Sequence, residues 1–301
     1  MNDQKEYPLH QLFICVFITI SITLITFRIL LILFEFPELI ESSKDYDFYL
    51  LLKGMDNGLV NFYNPIPGRD WPPYYLYFWY FIFYPIYIMP FEIGVYVWDL
   101  LRLFMGIYII NEAPKIFKNQ IDLFIFYVLS SISYSLDAYY NNCNFLITFF
   151  LFISYHSVEH DKKWLSGIFF MLATFKINSI VFLPILLIIK KITLKDLKYY
   201  LIPFALICIP YIIFPNYFMQ MVGNWLHSDE YIHGLTIFDS IFWKALQPTH
   251  LMTISLFLII LVENIKTEKR KNQFKLFFLP ILIIYYVYLT FIVFVIPIVL
   301  S

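Results

Sequence analysis

Residues 12–34 read LFICVFITISITLITFRILLILF, a run whose single charge is Arg28. About 20 consecutive apolar residues cross the hydrocarbon core of a bilayer, so this run predicts a transmembrane helix. No small-residue cleavage site follows it, which predicts an uncleaved first span rather than a signal peptide. Arg28, near the outer end, is expected to snorkel to the interface. The rest of the chain has the same character. Of 301 residues, 60% are hydrophobic, 22% aromatic and only 14% charged, where a soluble domain carries about 25% charged residues. Mean hydropathy is +0.70. A folded core of this length could not hide so much apolar surface from water. Composition therefore excludes soluble enzymes, fibrous repeats and disordered chains. The net charge of −1 offers no attraction for nucleic acid, and none is expected as a partner. Cys15, Cys143 and Cys208 have no metal-ligand or CxxC spacing and read as packing residues.

Further apolar segments fall near 74–90, 93–111, 121–136, 145–155, 165–175, 177–189, 199–217, 251–265 and 274–298. Two long polar stretches separate them, 35–73 and 217–250. The expected fold class is an all-α polytopic membrane protein of about 9–10 transmembrane or re-entrant helices, since about 20 residues make one span. Residues 1–301 are expected to form a single integral membrane domain. Lys and Arg collect on cytoplasmic loops. With the N-terminus inside, 14 basic residues fall inside and 5 outside, and both long polar stretches become external loops. This parity holds only if 74–111 contributes one net crossing. Segment 74–90 is interrupted by Pro85 and rich in Tyr and Trp, which predicts an interfacial or re-entrant piece rather than a full span. No matched pair of broken helices marks the two halves, which weakens a secondary-transporter reading.

The acids are unevenly placed: 7 of 22 lie between Glu35 and Asp70. Asp45 and Asp47 come just after the first span. The short apolar stretch Phe48–Leu52 after them can lie as an amphipathic helix on the membrane surface. A carboxylate fixed there could take a proton from a sugar hydroxyl. A second cluster holds Asn141, Asn142 and Asn144, which read as helix-capping residues. It also holds Lys176, set between two apolar runs, where a lysine must pair or reach water; one use is to bind a lipid-linked phosphate. The loop 217–250 carries His227, Asp229 and His233, whose spacing is not a zinc signature; no metal site is expected. Asp99 and Arg102, at i and i+3, are expected to pair within the bundle.

The order of these features resembles glycosyltransferase family 87. The stretch from Asp45 to Tyr49, then Gly58, Asn61–Phe62–Tyr63–Asn64–Pro65 and Trp71–Pro72–Pro73 looks like the first external loop of that family. Met89–Pro90 and Trp98 resemble its closing leucine-proline and the tryptophan that follows. Asn142–Cys143–Asn144 falls where the family has glycine-glutamine-x-asparagine. Trp164–Leu165–Ser166–Gly167 with Ala173–Lys176 looks like its alanine-glycine and lysine-proline stretch. The resemblance covers roughly residues 40–195. Asn64 stands where the family has aspartate, and Ile177 where it has proline.

The resemblance implies a GT-C-like architecture and a polyprenyl-phosphate-linked sugar donor, with mannose or another hexose as the sugar. It implies inversion at the anomeric carbon and a catalytic aspartate in the first external loop, matched best by Asp45, with Asp47 second. Lys176 would be the donor-phosphate cation, and Tyr49, Tyr63, Asn64, Asn142 and Asn144 would contact substrate. No cofactor is expected beyond the donor itself, and no divalent metal. The acceptor would be a lipid, glycan or protein, and the location the plasma membrane with the catalytic loops outside. The alternatives are a non-catalytic membrane scaffold and a transporter or flippase of a lipid-linked substrate.

Overall fold

A computed structural model describes residues 9–264 apart from 43, 66–72, 74, 118 and 231–250. The described residues are helical, without strands, as the apolar runs require. Among the described residues three helices are long and apolar enough to cross a membrane: α1 (Leu9–Leu33), α5 (Phe91–Ile116) and α6 (Gln120–Tyr140). Between the first two lie α2 (Pro37–Ser42), α3 (Tyr46–Met55) and α4 (Trp79–Tyr87). After them come α7 (Asn144–Glu159), α8 (Lys163–Ala173), a 3₁₀ turn (Ile177–Val181) and α9 (Phe182–Ile188). A second 3₁₀ turn (Leu194–Leu197), α10 (Lys198–Ile207), α11 (Ile209–Ile213), α12 (Pro215–Glu230) and α13 (Leu251–Asn264) follow.

The helices track the apolar runs closely, and the departures have causes. The run 199–217 is cut into α10, α11 and the start of α12 because Pro210 and Pro215 remove backbone donors. The polar stretch from 217 begins as helix, α12, whose Asn224 amide donates to the carbonyls of Tyr63 and Pro73, at 2.8 Å each. The tertiary contact holds a segment that hydropathy alone reads as a loop. Helix α4 has nine residues, too short to cross by itself. Residues 231–250 of the second polar stretch and the apolar run 274–298 lie outside the described residues.

Hydrogen bonds sort the helix ends into two layers. At one end, the Asp45 amide donates to the Tyr139 carbonyl (3.0 Å), and the Leu76 amide to Phe175 (3.0 Å). The ends of α1 and α6, the starts of α3 and α7, and the turn after α8 meet there. At the other end, the Asn119 amide reaches Glu263 (3.3 Å), Lys163 meets Asp196 (3.0 Å) and Lys191 meets Glu159 (2.7 Å). Lys115, Lys162, Lys190, Lys195 and Lys198 lie in the same layer or beside it, so most of the described lysines gather at one end of the bundle. Between the layers α1 keeps Phe17 and Leu31 in the core and leaves Ile22, Phe27, Ile32 and Leu33 bare. Surface of this kind suits lipid and not water.

Small residues set the closest crossings, as they do inside membranes. A Cβ added at Gly167 of α8 would lie 1.8 Å from the Tyr199 carbonyl oxygen of α10. Around it, Ser166 Oγ bonds Ser154 Oγ (2.9 Å) and the Tyr200 hydroxyl (2.8 Å), tying α7, α8 and α10 together. At Gly106 of α5 the added atom would meet two side-chain rings, the edge of Phe17 at 2.8 Å and Tyr134 at 3.2 Å. Overpacking ordinarily costs about 1–3 kcal/mol, and a backbone obstacle cannot rotate away. Gly167→Val is therefore expected to lower the thermal midpoint in detergent much further than Gly106→Ala; equal shifts would mean that α8 and α10 can separate freely.

Candidate active site

Two polar clusters occupy the layer where α1 and α6 end. The inner one is an ionic network. Arg28 of α1 donates to both oxygens of Asp45, at 2.5 and 2.8 Å, and to Asp99 of α5 at 2.6 Å. Arg102 donates to Asp99 at 2.9 Å and to Asp137 of α6 at 3.2 Å. Asn141 accepts from Arg102 and donates to Asp45 at 2.6 Å. Lys44 donates to Asp45 and to the Ala138 carbonyl, the latter at 3.2 Å. Arg28, Lys44 and Arg102 thus balance Asp45, Asp99 and Asp137, and all six are buried. Pairing of this kind is what lets ions exist away from water.

Two left-handed residues shape the network. Asp45 precedes α3 at φ 62° and Asn141 closes α6 at φ 57°; Asp and Asn tolerate this region better than most residues. Asn141 therefore ends α6 rather than capping α7, whose N-cap is Cys143. Arg28 does not snorkel. It is 1% exposed, because two carboxylates satisfy it inside the bundle. The expected Asp99–Arg102 pair forms, as one link of this larger set.

Burial alone would raise the Asp45 carboxyl, but Arg28 and Lys44 outweigh it and hold it below the usual carboxylate range. Burial pushes the Lys44 ammonium down to about 8 against the pull of Asp45.

The outer cluster lies beside this network and is partly open. Asp47, in the first turn of α3, accepts from Asn142 Nδ2 at 2.5 Å. Asn142 Oδ1 accepts from Lys176 Nζ at 3.0 Å and from the Cys143 amide at 2.7 Å. Lys176 also donates to Asn144 Oδ1 at 2.8 Å and sits 5.6 Å from the centre of the Tyr75 ring. Tyr75 is brought there by the Leu76–Phe175 backbone bond and by Trp79 stacking on Phe175 at 4.6 Å. Asp47, Asn142 and Lys176 keep partial exposure, whereas Asn144 is buried. Burial is the largest influence on Asp47 and raises its carboxyl above the usual range, against Lys176 and the Asn142 bond.

Four expected site residues, Asp47, Asn142, Asn144 and Lys176, thus form one bonded cluster. Asp45 belongs to the ionic network. Tyr49 lies 5.5 Å beneath the Lys53 ammonium. Tyr63 is buried and bonds the Tyr211 hydroxyl at 2.5 Å and the Tyr75 carbonyl at 2.8 Å, so it braces the cluster from behind. Asn64 is exposed, and its carbonyl accepts from Asn57 at 2.8 Å. Trp71 and Pro72 lie outside the described residues, as does His233. Sequence reasoning missed Tyr75 and the part Arg28 plays. The aromatic run after Pro73 was the available signal for Tyr75, but nothing local points it at Lys176.

A carboxylate above its usual range and a cation, joined through one carboxamide at the end of a membrane bundle, can remove a proton and offset a leaving anion together. The family model of glycosyltransferase family 87 matches residues 74–296. Asn142, Asn144 and Lys176 fall inside the match, and Asp45 and Asp47 precede it. No curated protein and no solved structure matches the chain.

Proposed function

Since the chain belongs to glycosyltransferase family 87, and is thus a membrane glycosyltransferase with a sugar donor and an acceptor, we propose that it moves a hexose, mannose foremost, from a polyprenyl-phosphate carrier, with Asp47 as general base. A donor of this kind cannot leave the bilayer, so its sugar must react at the boundary where α1 and α6 end. Asp47 takes the proton of an acceptor hydroxyl. That oxygen forms a bond to the anomeric carbon from the face opposite the phosphate, the C1–O bond to phosphate breaks, and the configuration inverts. The phosphate keeps the bonding electrons, and Lys176 offsets its growing charge. A single phosphate leaving group needs one cation, which Lys176 supplies, so no divalent metal enters the proposal. The acceptor is a lipid, glycan or protein bearing the hydroxyl.

One observation carries this reading: the bonded sequence Asp47–Asn142–Lys176. Asp45 is the better match to the family's loop, but its carboxylate accepts from four donors and is fully buried, which shuts it away from a substrate hydroxyl. A transporter reading would want unpaired charges within the spans. Arg28, Asp99, Arg102 and Asp137, the charges at the network's end of the spans, are instead bonded to one another. The gathering of basic residues at the opposite end supports a cytoplasmic face there and an outward active site in the plasma membrane.

Lys176 provides the test of the donor. A hydrogen bond to a charged group is worth about 1.5–3 kcal/mol, or roughly 10–150-fold. Lys176→Met should lower kcat/KM by that factor for a polyprenyl-phosphate hexose, in kcat as well as in the donor KM because the charge it offsets grows in the transition state, and Lys176→Arg should recover part of it. Loss confined to acceptor KM would remove Lys176 from the phosphate.

A further inference from the structure

Asn142 touches three groups at once. Its Nδ2 donates to Asp47 Oδ2 at 2.5 Å. Its Oδ1 accepts from the Cys143 amide at 2.7 Å and from Lys176 at 3.0 Å. A carboxamide has one donor end and one acceptor end. Turning it over would set the NH₂ against two donors and the oxygen against a carboxylate. Its neighbours therefore fix its orientation, and the donor end must face Asp47.

We propose that Asn142 is a positioning residue for the transfer reaction: it commits Asp47 Oδ2 to one hydrogen bond and presents the other oxygen, Oδ1, to the acceptor hydroxyl. This rests on Asp47 being the base and refines it. Asn142 then acts through Asp47 and makes no substrate contact of its own, unlike the binding role that family resemblance implies for it. The bond also favours the ionised carboxylate. It counters the burial that would otherwise leave the base protonated. The groups around Asp47 are Lys176 before the first 3₁₀ turn, Asp137 and Tyr140 of α6, and Cys143 in the α6–α7 turn. Lys176 is the cation among them, so Asn142 adds a hydrogen bond where one charge alone opposes burial.

The test is the pH profile of kcat/KM with a polyprenyl-phosphate hexose as donor. Without the Asn142 bond, Asp47 gains its proton at higher pH. Asn142→Leu should move the acidic limb up by about one unit and lower kcat about tenfold or more at neutral pH. The donor KM should stay where it was, because Asn144 still holds Lys176. Asn142→Asp has nearly the same shape and sets a second carboxylate against Asp47, so its limb should move further in the same direction. It also gives the answer if the leucine variant does not fold. An unmoved limb with a raised KM would make Asn142 a substrate contact and overturn the proposal; an equal loss at every pH would make its role structural and also overturn it. If Asp47→Asn is inactive while both Asn142 limbs stay in place, the base stands and only the role of Asn142 falls. If Asp47→Asn retains transfer, both fall.

Discussion

Asp47→Asn is expected to reduce transfer by about 10²–10⁴-fold, the range a positioned general base supplies, without loss of folded protein. The variant keeps the shape of the side chain, and its own oxygen can still accept from Asn142 Nδ2. It removes only the basicity. Burial holds the wild-type carboxyl above its ordinary range. An acid whose folded pKa is raised binds its proton more tightly in the folded state. Its ionised form therefore weakens the fold at neutral pH, and folding strengthens as pH falls toward the ordinary carboxylate range. The neutral amide should thus leave the thermal midpoint unchanged or raise it, a pattern seen where function opposes stability. The same shift sets the sign of the wild-type pH profile. Activity needs ionised Asp47, so transfer should fail as pH drops through a value above that of an ordinary aspartate. An acidic limb at or below the ordinary range would point to a different base.

Asp45→Asn should fail for another reason. It removes one charge from a buried set of three cations and three anions, leaving Arg28 and Lys44 undercompensated. Breaking a buried pair from one side costs about 3–5 kcal/mol. The variant should therefore lose much of its folded population, with residual transfer proportional to the protein that folds. The wild type carries the matching pH dependence. The Asp45 carboxyl is held low, so its stabilisation is present above the ordinary carboxylate range and lost as pH falls through the lowered value. Removing the partner charge gives a control. Lys44→Met combined with Asp45→Asn restores neutrality, and should recover both midpoint and transfer relative to Asp45→Asn alone, a coupling readable as a double-mutant cycle. A double variant that folds well and stays inactive would exchange the roles of Asp45 and Asp47.

Much of this architecture can be read from hydropathy. The first apolar run becomes α1 with its ends moved by only a few residues, and the Pro-interrupted 74–90 yields only the short helix Trp79–Tyr87. The spacing of Asn142, Asn144 and Lys176 marks them as polar residues at helix ends, where polar groups in a membrane chain must find partners. What sequence does not show is which partners they find. Arg28 meets Asp45 at a separation of 17 residues and Asp99 at 71. Those contacts depend on how α1 crosses α5, not on any local pattern. A lone arginine near the end of a span therefore looks like a snorkelling residue until the crossing is known. Asp45 and Asp47 pose the same difficulty in miniature. Two residues apart, they differ because the left-handed turn at Asp45 directs one carboxylate into the bundle and leaves the other beside Lys176. Motif spacing does not separate the two sides of that turn. Helix α12 is the remaining case: its helical state leans on Asn224 bonding the backbone near Tyr63, a contact 161 residues away.

Azide needs no base to become a nucleophile, so it can stand in for a deprotonated acceptor. The most direct measurement is product analysis of Asp47→Ala incubated with a polyprenyl-phosphate hexose and sodium azide. The expected product is the glycosyl azide of inverted configuration, formed by Asp47→Ala and not by the Lys176→Met/Asp47→Ala double variant, because departure of the phosphate still requires the cation. A folded Asp47→Ala protein that binds the donor and yields no azide adduct would contradict Asp47 as the base.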